Sequence, residues 1–361
     1  MEKRNSFFLG QLMLMLVLGC VFTVTAYGQT SKSRLQVYNI EVTPVDASKK
    51  VTITADGKPF SELVYTDTLE KPFLYPIYAP DGQLITRGFP FAPRKDEPTD
   101  HPHHTGLWLN YESVNGLDFW NNSYAIPEDK KSKYGWIKTK KIVKTKSGKK
   151  GELKMQATWE NQKNQVLLNE TTTYFFRADE NKRIIDRVTT LTAAQDVNMP
   201  DVKDGMLGLR LAHELELPSK EKKEFKDDKG NVTVVEGSAD GVPSGNYITS
   251  EGKEGDAAWG TRAQWCMLYG KQGDDTTSIV IIDHPRNPGY PTYWHARGYG
   301  LFAANPLGQK AFSNGKETLN FALKQGQSVT FRYRVVIASG KQRLSNEEIN
   351  LVAGDFFQNT R

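Results

Sequence analysis

The chain has 361 residues, with 47 Lys and Arg against 42 Asp and Glu, a formal charge of +5 and 25% charged residues. That balance is too weak for a nucleic-acid partner, and the length is ample for a self-sufficient hydrophobic core.

Residues 1–28 ("MEKRNSFFLGQLMLMLVLGCVFTVTAYG") have a basic start, an apolar stretch and a small-residue exit at Ala26-Tyr27-Gly28. This is the grammar of a cleaved secretory signal, and it predicts a periplasmic or secreted protein. Gly10 and Gln11 leave the apolar run short of the roughly 20 residues of a membrane span, so no transmembrane segment is expected in the mature chain. A lipoprotein anchored through Cys20 is the lesser alternative, because "VFTV" continues the apolar run beyond that cysteine. Loss of the signal leaves Cys266 as the only thiol, which precludes an internal disulfide.

From residue 33 onward, period-two alternation and β-branched runs recur: "KVTITADGKPF", "ELKMQATWE", "NETTTYFFRAD", "RIIDRVTTLTAA", "TTSIVIID" and "SVTFRYRVVIAS". With turn signals such as "ADGK" and "KQGDD" between them, they predict strands joined as hairpins. The fold class is therefore all-β, one large antiparallel β-sandwich over residues 33–361. The basic run 131–150 alternates Lys with Ile, Val and Trp and reads as a solvated strand whose lysines guard an edge. Residues 218–256 read as a charged surface excursion or lid. "SNEEINLVAGDFFQ" predicts a short C-terminal helix with Ser345 as N-cap. There is no βαβ alternation and no glycine-rich phosphate loop.

Two segments, 86–122 and 283–308, break the strand grammar with Gly, Pro, His, Asn and aromatic residues. Long irregular stretches in a β domain are where sites concentrate. Five of the six histidines fall there: His101, His103 and His104 in "DHPHHTGLWL", His284 in "IIDHPRNPGY" and His295 in "PTYWHARGYG". The sixth, His213, lies in "RLAHELEL". Imidazoles beside carboxylates shuttle protons near neutral pH, so His103, His104, His213, His284 and His295 with Glu112 and Glu214 are the catalytic candidates. His101, Trp108, Tyr111, Asp118, Trp120, Arg262, Tyr293, Trp294, Arg297 and Asn305 are candidates to bind substrate. Their flat rings with polar rims suit a pyranose, and the arginines suit an anion. No cofactor is required. A divalent transition metal on His101, His103 and Glu112 is the alternative, but no His-Glu-x-x-His or cupin-like spacing supports it.

The blocks "RGFPFAP", "DHPHHTGLWL", "VNGLDFW", "EGKEGDAAWGTRAQWCMLYG" and "IIDHPRNPGYPTYWHARGYGLFAANPLG" resemble a secreted bacterial family of unknown function labelled PmoA-like or "methane oxygenase". The likeness covers roughly residues 50 to 340. It implies a β-sandwich similar to the large sandwiches of mutarotase-type enzymes and a setting among carbohydrate-use genes. It supplies no catalytic residues. The reading is an exported enzyme acting on a sugar or oligosaccharide by glycosidic cleavage, elimination or epimerisation. The alternatives are a non-catalytic carbohydrate-binding protein and a metal-dependent oxidoreductase.

Overall fold

The structure is a computed structural model describing residues 36–360 except 96, 228–229 and 239–240. The expected signal segment and Cys20 lie outside the described residues. Two antiparallel eight-stranded sheets dominate. In spatial order the first holds β1 (Ile40–Val45), β2 (Lys50–Ala55), β3 (Lys58–Val64), β4 (Phe73–Ile77), β5 (Leu107–Tyr111), β11 (Gly205–Arg210), β18 (Leu301–Asn305) and β17 (Tyr293–Ala296). The second runs β14 (Asn246–Thr249), β15 (Trp265–Gln272), β16 (Asp275–Asp283), β20 (Ser328–Gly340), β9 (Lys182–Ala193), β8 (Val166–Ala178), β7 (Gly151–Asn161) and β6 (Gly135–Lys146). Two ribbons complete the strands: β10 (Val197–Met199) with β19 (Phe321–Leu323), and β12 (Lys223–Lys226) with β13 (Val232–Val235).

Alternation builds the core. On β7, Leu153, Met155, Ala157 and Trp159 point inward, and they share one apolar cluster with Val51 and Ile53 of β2 and Leu107, Leu109 and Tyr111 of β5. The sheets thus pack as a sandwich, each fully buried Leu, Ile or Phe contributing about 1.5–3 kcal/mol. The lysine-rich β6 is an edge strand, as its composition predicts. The described residues form one compact unit. No helix of the described residues is long and apolar enough to cross a membrane.

The sheets' outer faces differ. On the second, helix α2 (Asn346–Asn359) starts at a capping box between Ser345 and Glu348 and lays Ile349, Ala353 and Phe356 on Trp265, Met267, Val280, Ile282 and Val336. A shorter helix, α1 (Gln309–Phe312), precedes it in the chain and has no counterpart in the sequence-based expectation. The expected excursion at 218–256 is partly regular, since it supplies the β12–β13 ribbon and β14.

On the first sheet the outer face carries the irregular segments. Register places Trp108 opposite Gly208, Gly208 opposite Ala303, and Ala303 opposite His295. These four side positions form one row across β5, β11, β18 and β17. Two small residues separate Trp108 from His295, whose Cα atoms stand three strand spacings, about 14 Å, apart.

Candidate functional site

The segment 98–106 is folded over Trp108 by two buried arginines. Arg87 Nη1 donates to the Asp100 carbonyl (2.8 Å) and to Asp100 Oδ1 (2.9 Å), while Nη2 donates to the carbonyls of His101 (2.9 Å) and His104 (3.3 Å). Arg210, rising from β11, places Nη2 3.2 Å from the same Asp100 Oδ1 and Nη1 3.3 Å from His104 Nδ1. Both guanidinium side chains have no solvent exposure. Gly106 enters β5 at φ +55° with its Cα against the Leu74 carbonyl, where any Cβ would overlap backbone.

This scaffold orients His101. Its Nδ1 lies 2.5 Å from Asp100 Oδ2, and its side chain keeps 41% exposure. Burial pushes the Asp100 carboxyl upward, but the His101 hydrogen bond and the two guanidiniums more than reverse this and hold it well below the usual carboxylate range. An ionised Asp100 keeps the His101 proton on Nδ1, so Nε2 presents its lone pair outward. The His101 backbone sits at φ +46°, a strained position held by the Arg87 contact to its carbonyl and by His104 N–H donating to it. The rings of His101, His104 and Tyr299 are nearly parallel, with His101 5.4 Å from Tyr299 and 4.8 Å from His104.

The neighbouring groups differ in protonation. His104 is only 2% exposed. Because a guanidinium only donates, its Nδ1 accepts from Arg210 and its proton sits on Nε2. Burial, with the charge of Lys71, holds His103 well below the ordinary imidazole range. Lys71, buried beneath the segment, donates to the His103 carbonyl (2.8 Å), and burial lowers its own pKa to about 8. His295 is held neutral by burial, down to about 3, with Nδ1 3.4 Å from Asp204 Oδ1. Asp204, Glu112 and Asp118 are all pushed above the usual carboxylate range, chiefly by burial. Asp204 is within electrostatic reach of both Asp118 and His101.

His213 lies in a turn after β11, its Nδ1 3.0 Å from Glu216 Oε2. Burial lowers its pKa, but the Glu216 bond more than compensates and the net shift is upward. Glu216 in turn stands 3.6 Å from Arg210. His213 therefore connects to the His101 scaffold through Glu216 and Arg210, whereas its neighbour Glu214 faces Arg94 at 3.6 Å.

Several expectations need correction. His284 does not join the other histidines: it lies under α2 against Phe356 and Phe357, on the other sheet, and burial lowers its pKa to about 4. Tyr111 and Trp294 point into the core, their polar atoms satisfied by carbonyls of Pro200, Leu307 and Ala263. Arg262 braces the 289–291 turn through three carbonyls and pairs with Glu317. Tyr293 stacks on Phe312 and is buried. Asn305 donates to the carbonyls of Val202 and Lys203, which positions Asp204. Trp108 and Trp120 are buried rings beneath His104. Arg297 is exposed, its guanidinium 5.8 Å from the rings of both Trp259 and Tyr299. The alternative metal set of His101, His103 and Glu112 is not gathered; among the described residues no three His, Cys, Asp or Glu side chains stand together as metal ligands.

Arg87, Asp100, Arg210, Glu216 and Asp204 are absent from the sequence-based site. One signal for Asp100 was available, its adjacency to the histidine cluster. Arg87 lies in the irregular segment 86–122 and Arg210 at the end of a strand, and neither has a histidine or carboxylate beside it in the chain to mark it as part of the site.

Residues 50–353 match the model of a family of unknown function, DUF6807. The chain belongs to that family. The match carries no support for the PmoA-like or "methane oxygenase" label. No curated protein matches this DUF6807 chain. Among solved structures, it is similar to the GH36 α-galactosidase AgaB of Geobacillus stearothermophilus at 12% identity and TM-score 0.36, covering 84% of this chain and 41% of that one. It is also similar to a galactose mutarotase-like protein of Clostridium acetobutylicum at 12% identity and TM-score 0.34, covering 85% and 99%. A Synechocystis protein, Slr1438, gives 9% identity and TM-score 0.29, covering 86% and 97%. The DUF6807 chain thus spans about two-fifths of the galactosidase's length. Likenesses this distant carry no argument about its chemistry.

Proposed function

We propose that this protein is an exported enzyme that transfers a proton to or from a sugar or oligosaccharide, in glycosidic cleavage, elimination or epimerisation. The observation that carries the reading is the Asp100–His101 pair. One carboxylate oxygen is pinned by two buried guanidiniums and the other orients a half-exposed imidazole, at 2.5 Å. His101 Nε2 is the base. Asp204, whose carboxyl is raised by burial, is the matching acid on the His295 side. Two carboxyls driven in opposite directions, Asp100 down and Asp204 up, keep an ionised partner for the base beside a group that can hold a proton, a recurrent arrangement in acid–base catalysis. Glu112, Asp118, His103 and Arg297 line the surrounding surface as contacts for substrate hydroxyls or charge. Export rests on the amino-terminal signal grammar.

The test is product analysis after incubation with a panel of glycosides and 3-oxo glycosides, using wild type and H101N. Turnover in the variant should fall by about 10²–10⁴ with sugar binding retained. An H101N protein that turns over like wild type refutes the assignment, and a binding protein without turnover would show affinity and no product in either.

A further inference from the structure

Beside the His101 scaffold lies a cavity of about 270 Å³ that no step above uses. It is lined by Pro98 and Tyr299, by His213 and Glu216, and by Phe225 and Val235 of the β12–β13 ribbon. The volume lies just under the roughly 300–1,000 Å³ usual for small-molecule sites, which suits one ring better than a chain. Glu216 is more than nine-tenths buried; its Oε2 is occupied by His213, while its Oε1 has no hydrogen-bond partner among the described residues and only the Arg210 guanidinium at 3.6 Å, beyond hydrogen-bond range. A buried carboxylate oxygen in that state calls for donors.

We propose that this cavity is a subsite for an uncharged pyranose ring, with Glu216 accepting from its hydroxyls and the Phe225 face covering its C–H groups. Phe225 is half-buried and lines the cavity, so its ring is available for this. Charge selects against a uronate. Alongside Glu216, the cavity is bordered by Glu221, Glu236 and Asp256 against Lys223 and His213. The inference rests on the reading that this face handles a sugar, and Tyr299, stacked on His101 while lining the cavity, joins the subsite to the base.

The experiment is saturation-transfer NMR and calorimetric titration of methyl glucoside, methyl galactoside and the corresponding methyl uronates into wild type, E216Q, F225A and H101N. The neutral glycosides should bind wild type and H101N equally. E216Q should weaken them roughly 10- to 100-fold, the worth of a hydrogen bond to a charged group. F225A, altered only on the surface ribbon, should weaken them several-fold with an unchanged melting profile. Wild-type affinity in both E216Q and F225A, preference for the uronates, or no glycoside binding at all would each overturn the subsite. If E216Q binds normally while H101N loses turnover, the cavity fails and the His101 chemistry stands; the reverse pattern leaves the subsite and removes the base.

Discussion

Replacing Asp100 by Asn tests the scaffold directly. The amide keeps an acceptor for Arg87 and Arg210 but removes the charge that both fully buried guanidiniums share. Removing one partner of a buried pair costs about 3–5 kcal/mol, and since the Asp100 side chain is 21% exposed the cost here is discounted to about 2–4 kcal/mol. An unfolding entropy near 2.1 cal/mol/K per residue over about 325 residues gives about 0.7 kcal/mol/K, so the melting temperature should drop by about 3–6 °C. The sign with pH follows from the depressed carboxyl. Its contribution is complete above the unfolded value near 3.9 and is lost only as pH falls through the lower folded value, so the deficit of D100N should be constant between about pH 5 and 8. Turnover should fall by about 10²–10⁴, because nothing then fixes the His101 proton on Nδ1. Differential scanning calorimetry with the product assay measures both. A D100N protein that melts within a degree of wild type would refute the claim that the segment is held by shared charge.

Three further perturbations separate the faces of the molecule. In K71M the melting temperature should lose a pH dependence. Wild-type Lys71 has a folded pKa near 8 against about 10.4 unfolded, so the unfolded chain binds more protons between these values and stability rises across that window by at most about 3 kcal/mol; identical pH profiles from 7 to 10 would contradict this. His284, neutral under α2 with a folded pKa near 4, makes wild type lose about 2–3 kcal/mol as pH falls from 6.5 to 4, whereas H284Q should flatten this component of the urea midpoints without affecting turnover. Gly208→Ala would drive a methyl into the Trp108 ring, costing about 1–3 kcal/mol and lowering turnover through the displaced histidine segment; an unaltered protein would show that Trp108 does not support that segment.

Much of the fold was legible because period two is a strong signal. The runs around 153, 170, 185, 280 and 333 are strands of the second sheet, and Ser345 with Glu348 forms the expected cap. The large antiparallel sandwich follows from them. Sheet order was not legible, since β11 sits between β5 and β18 through contacts nearly a hundred residues distant. The site is less legible, because histidine count carries only part of it. Rarity drew attention to His284, yet rarity carries no direction, and burial against Phe356 and Phe357 explains that ring without chemistry.

Strand parity carries more of the site than residue type does. Neighbouring residues on a strand face opposite sides. If His295 faces outward, Trp294 and Ala296 must face the core, as they do. If Trp108 and Asn110 share the outer face, Leu109 and Tyr111 do not. Grouping "YWH" as one ligand-binding patch therefore contradicted the same periodicity that identified the strand. Parity also would have favoured Gly208 and Arg210 together, because residues two apart share a face, and Arg210 is the residue through which Asp100, His104 and Glu216 are joined. The chemistry of this face depends on which residues a strand turns outward, and a polar or aromatic composition alone does not reveal that.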